Sequence, residues 1–126
     1  METLIQIPWS KAAKQRLKPA GGVNAIEKEV LAGKAQLWQT PDGSLLVVLR
    51  SEGELCVVVA VAGRQLLQAS STIINTARTV YGAAALRFHT KVPNLIRGTL
   101  EALPVKLVEV RRHLFSTEYV YVMGIV

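Results

Sequence analysis

From Leu55 onward the apolar positions fall in a regular order of strand, helix, strand, helix, strand, strand. Leu55 to Ala62 is an apolar, largely β-branched run that Gly63 ends. Leu66, Leu67, Ser70, Ile73, Ile74, Ala77, Val80 and Tyr81 then recur at helical spacing along one face, and Gly82 stops that helix. Ala84 to His89 predicts a short strand. Pro93 opens a second helix running to about Leu103, and Val105 to Leu114 and Tyr119 to Val126 predict two closing strands.

The first half reads as two helices and a meander. Ser10 can cap a short helix carrying Lys11, Lys14, Arg16 and Lys18, which Pro19 and Gly21-Gly22 end. Asn24 suits the N-cap of a second helix over Ala25 to Ala32, with Glu27 and Glu29 in its first turn and Gly33 at its end. Ala35 to Thr40 is a short strand, and Pro41-Asp42-Gly43-Ser44 is a turn with a proline-set first dihedral. Leu45 to Arg50 follows, and Ser51 to Glu54 turns it back into Leu55 to Ala62, which gives an antiparallel meander. The next connection is a whole helix, so the strands it joins are expected to run parallel, with a right-handed crossover. The fold class is therefore α/β: one domain over residues 1–126, with an antiparallel meander, a parallel centre, a closing hairpin and helices on both faces. Residues 1–22 form a basic N-terminal segment of it.

Composition narrows the function classes. Half of the 126 residues are hydrophobic and 19% charged, enough for a core and too apolar for global disorder. No apolar run approaches the roughly 20 residues of a membrane-spanning helix. METLIQIPWSK lacks a basic start followed by an apolar stretch, so no secretory signal is expected. Cys56 is the single cysteine, set among valines, which fits a reducing compartment and a small buried hydrophobe better than a nucleophile. His89 and His113 have no metal-site spacing, so no metal is expected. A net charge of +6 and a pI near 9.8 suit an anionic or acidic neighbour without naming it.

Two local stretches carry a resemblance. Ala77-Arg78-Thr79-Val80-Tyr81-Gly82-Ala83-Ala84-Ala85-Leu86-Arg87-Phe88 has the form of a helix end, glycine turn and strand, and Pro93 to Leu103 that of an Asn-started helix leading to the penultimate strand. With the order of elements, residues 26–126 resemble the GNAT acetyltransferase superfamily. Gly-Lys-Ala-Gln-Leu-Trp at residues 33–38 is most similar to small GNAT-like proteins of tailed phages and prophages. The resemblance implies a turn after the central strand whose bare amides, with the next helix N-terminus, hold the pyrophosphate of acetyl-CoA. It places that turn at Gly63, Arg64 and Gln65, with Asn94 as a further cofactor-binding candidate. Here the later glycines are replaced by leucine, glutamine and alanine, so the expectation is that no cofactor is held, or acetyl-CoA only weakly.

The acid–base inventory is short. The resemblance implies a tyrosine where this chain has Glu101, a poor proton donor at neutral pH, and a glutamate base where Glu54 is the candidate. His89 ends the strand after the crossover, at the carboxyl edge where open α/β sheets place ligands, and is the other catalytic candidate. The leading expectation is a phage or prophage-type GNAT-fold protein with a degenerate acetyl-CoA loop. It would act as a binding or virion-associated component with an acidic protein partner in the cytoplasm of a bacterial host. An active N-acyltransferase with a divergent cofactor loop is the alternative. A nucleic-acid binder using the basic N-terminal helix beside Trp9 is the third, although no nucleic-acid motif accompanies it.

Overall fold

The computed structural model describes residues 2–90 and 97–125. Ser10 starts α1 (Lys11–Leu17) as the sequence predicts: its Oγ accepts from the Ala13 amide at 3.1 Å. A 3-10 turn over Lys18–Ala20 leads to Gly21 and Gly22. Gly22, at φ +63°, turns the chain directly into α2 (Val23–Leu31). This helix therefore begins before Asn24, which lies inside its first turn instead of capping it, and neither glutamate is in that turn. Both serve tertiary contacts: Glu27 accepts from Trp9 Nε1 at 2.6 Å and pairs with Lys14 at 3.0 Å, and Glu29 pairs with Arg50 at 2.6 Å.

The strands are β1 (Ile5–Gln6), β2 (Gln36–Gln39), β3 (Leu45–Glu52), β4 (Leu55–Gly63), β5 (Ala85–Thr90), β6 (Lys106–Arg112) and β7 (Thr117–Gly124). Helix α3 (Leu66–Thr79) joins β4 to β5, and α4 (Arg97–Ala102) precedes β6. They form a seven-stranded sheet in the order β1-β2-β3-β4-β5-β7-β6. The crossover strands β4 and β5 run parallel, and every other pair is antiparallel. The predicted mixed sheet is thus present. Strand β1 is an addition, too short for a period to register in the sequence.

Helices cover both faces, and β3 shows why its run from Leu45 to Leu49 is uniformly apolar. Leu45, Val47 and Leu49 meet Ala69, Ile73 and Ala77 of α3. Leu46 and Val48 point the other way, to Ala13 and Leu17 of α1 and Ile26 of α2. Leu17 is completely buried, so the N-terminal segment closes the core. Its charges are partly committed as well: Lys14 pairs with Glu27, and Arg16 Nη2 donates to the Gly43 and Ser44 carbonyls at 3.4 Å. No helix among the described residues is long and apolar enough to cross a membrane.

The far end of α3 is pinned to β2 by a polar relay. Trp38 Nε1 donates to the Tyr81 hydroxyl at 3.0 Å, and that hydroxyl donates to Gln36 Oε1 at 2.5 Å. Burial pushes the Tyr81 hydroxyl up to about 12 and the Cys56 thiol up to about 11, from ordinary values of 10.0 and 9.0. Both groups lose their protons more readily in the unfolded chain. Their contribution to stability is therefore complete below about pH 9 and falls as pH rises through the folded values. Urea denaturation at increasing pH is expected to show this alkaline loss, and Tyr81→Phe to flatten its upper part.

Candidate functional site

Strand β4 carries a bulge. Val48 of β3 faces Ala60 and Leu49 faces Val58, which leaves Val59 as the extra residue. Pairing between β4 and β5 ends just there, at Val58 opposite Phe88, although β4 continues to Gly63 and β5 to Thr90. The two parallel strands therefore splay apart in the middle of the sheet. A cavity of about 470 Å³ occupies the gap. Its walls are Val58 to Val61 of β4, Phe88 to Thr90 of β5, Leu66, Ile73 and Ile74 of α3, and Thr99 and Leu103 at α4, with Pro19 and Ala20 also lining it. Most of this wall is apolar, and it adjoins a stretch of β4 edge that no strand among the described residues covers.

His89 stands in that wall. Leu86 and Phe88 belong to the α3 side of the sheet, so Arg87 and His89 face the other side. His89 Nδ1 lies 3.3 Å from Glu118 Oε1, and both side chains are about four-fifths buried. The register explains the contact: His89 is opposite Val120 of β7, and Glu118 is two residues along on the same face. Glu118 in turn lies 3.5 Å from Arg111 Nη1 of β6. Glu118 therefore sits at Nδ1, and Nε2 is the imidazole nitrogen left outside this pair.

Beside His89, Arg87 extends a row of charges across the sheet. Its Nη2 donates to Glu52 at 2.8 Å, Glu52 lies 3.4 Å from Arg50, and Arg50 meets Glu29. The Arg87 hydrogen bond holds the Glu52 carboxyl below its ordinary value, and the Glu29 hydrogen bond raises Arg50. Arg87 Nε is buried without a hydrogen-bond partner among the described residues.

The other sequence candidates are dispersed. Glu54 sits in the β3–β4 hairpin, at the end of β4 remote from the bulge; its side chain is exposed and its carbonyl accepts from Ala84 N at 2.9 Å. Asn94 lies outside the described residues. Glu101 is exposed on α4 and paired with Arg97 at 2.8 Å. Cys56 is fully buried in the core. Among the described residues no cluster of three potential metal ligands occurs.

β4 ends at Gly63, and Arg64 and Gln65 form the whole connection from it to α3. Gly63 has φ +129°, and a Cβ there would lie 2.1 Å from the Ser44 carbonyl oxygen. The same oxygen accepts from the Arg64 amide at 3.2 Å. Gln65 is left-handed at φ +66° and gives α3 no side-chain cap. The recess beside the first turn of α3 is lined by Gln65 and Gln68 but also by Glu2 and Asp42. The Ser44 amide and the Thr40 hydroxyl hold the Asp42 carboxyl below its ordinary value, so this recess carries negative charge at neutral pH.

Glu118 is the residue sequence reasoning missed. Its role depends on β7 lying next to β5, and the hairpin of the last two strands does not reveal which of them takes that place.

No family model and no curated protein matches the sequence. Solved structures do match its shape. The ribosomal-protein-S18-alanine N-acetyltransferase from Escherichia coli superposes with a TM-score of 0.74 at 15% identity, covering 99% of this chain and 94% of that one. A Bacillus subtilis acetyltransferase in complex with CoA gives 0.64 at 8% identity over 98% and 99% of the two chains. An acetyltransferase of the GNAT family from Bacillus anthracis gives 0.58 at 11% identity over 82% and 72%. The chain has the fold of the GNAT acetyltransferases.

Proposed function

We propose that this protein transfers an acyl group from a pantetheine thioester to an amine, with His89 as the general base. The observation that carries this reading is the splay between β4 and β5: an apolar cavity running along free strand edge, with a carboxylate-oriented histidine in its wall. A pantetheine arm is a thin chain of methylenes and amides, and such a groove offers it apolar walls and backbone partners. Val58 to Val61 and Phe88 would hold it. A bound thioester supplies an acyl carbon at which the acceptor nitrogen bonds as the C–S bond breaks, the amine proton ending on the departing sulfur.

In that scheme His89 Nε2 takes the proton from the acceptor amine and passes it on to the departing sulfur. Glu118 holds Nδ1 and favours the imidazolium formed on the way. Ile73, Ile74 and Leu103 exclude water from the acyl end. The groups present suit the thioester end of coenzyme A better than its diphosphate end, because the Arg64 amide is already bonded and two carboxylates flank α3.

The same turn favours a second reading, in which the fold serves as a silent binding component, a virion-associated role among them. Calorimetric titration with S-acetylpantetheine, followed by thiol release in the presence of primary amines, separates the two. Binding with amine-dependent thiol release supports transfer. Absence of both would leave the silent component.

A further inference from the structure

We propose that the donor is a pantetheine arm carried by an acidic protein instead of free coenzyme A; this rests on the acyl-transfer reading above. The arm is the same in both donors, so the cavity does not choose between them. The difference lies at the far end of the arm, where coenzyme A carries a nucleotide with phosphates and a carrier protein presents a folded surface.

The turn from β4 to α3 is built against the nucleotide. Two residues span it, and Gly63 just before them is packed on the Ser44 carbonyl with no room for a side chain. The Arg64 amide is spent on that carbonyl. The recess beside the first turn of α3 presents Glu2 and Asp42, so a diphosphate there would meet like charge.

Three cations lie close along the chain to residues that line the cavity. Lys18 adjoins Pro19, Arg64 stands two residues before Leu66, and Arg97 two before Thr99, and Pro19, Leu66 and Thr99 all line the cavity. All three cations are exposed, Arg97 pairs with Glu101, and among the described residues no hydrogen bond or ion pair is seen for the Lys18 and Arg64 side chains. Dispersed exposed cations on a chain of net charge +6 suit a broad acidic surface better than one compact anion. An acidic carrier that docks on this rim would extend its arm between β4 and β5.

The test compares S-acetylpantetheine, acetyl-CoA and an acetyl-loaded acyl carrier protein by titration calorimetry on the full chain. The expected result is that acetyl-CoA binds within about twofold of S-acetylpantetheine, the nucleotide adding almost nothing. The loaded carrier should bind at least about tenfold more tightly at low salt, and that gain should disappear as salt screens the rim. Lys18→Glu/Arg97→Glu should remove the gain and leave S-acetylpantetheine binding unchanged. Acetyl-CoA binding about tenfold or more above S-acetylpantetheine, or a carrier no tighter than the free arm, would overturn the carrier proposal while the transfer reading stands. Failure of all three to bind would overturn both.

Discussion

Gly63→Ala is expected to destabilise the protein by about 3 kcal/mol or more, among the largest single-residue effects the structure predicts. Two costs combine. The residue sits at φ +129°, which a side chain disfavours, and the new Cβ would fall 2.1 Å from the Ser44 carbonyl oxygen. That oxygen is backbone and cannot swing aside. Relief means shifting the β2–β3 turn or breaking the bond from Arg64 N to Ser44 O, the contact that fixes where β4 ends and α3 begins. Gly124→Ala in β7 is the control, because nothing lies within 4 Å of its added methyl and its backbone carries no positive φ. Urea denaturation should separate the two variants clearly. If both stay within about 0.5 kcal/mol of the parent, the tight turn is not as described.

His89→Gln is expected to lower amine-dependent thiol release by about 10²- to 10⁴-fold, the usual contribution of a positioned general base. Binding of S-acetylpantetheine should change little, since the arm rests on Val58 to Val61 and Phe88. Glu118→Gln is expected to have a smaller effect on the rate, because Glu118 acts through the imidazole at 3.3 Å. A His89→Gln variant that releases thiol at the parental rate would remove the histidine from the mechanism.

The crossover was legible because Leu66, Ile73 and Ala77 repeat at helical spacing between two apolar runs, and a helix of that length joins parallel strands. The bulge was not. Val57, Val58 and Val59 are identical in type, so nothing in the sequence marks which of them leaves the ladder. The start of α2 also escaped, because Asn24 is the better cap by type while Gly22 makes the turn that the preceding helix requires. His89 could be singled out from its place at a strand end. Glu54 stood near the central strand in sequence, but proximity along the chain does not say which end of the strand faces the cavity; the hairpin puts Glu54 at the remote one. The charge row of Glu29, Arg50, Glu52 and Arg87 joins three elements and exists only once the sheet order is known.

The central claim is that the gap between β4 and β5 receives a pantetheine thioester. Titrating isotope-labelled protein with S-acetylpantetheine and following backbone amide signals by NMR tests it most directly. The account predicts that the largest shifts fall on Val58 to Val61 and Phe88 to Thr90, with smaller ones along Leu66 to Ile74. Shifts confined to the β3–β4 hairpin or the β6–β7 edge, or none at all at millimolar ligand, would contradict it.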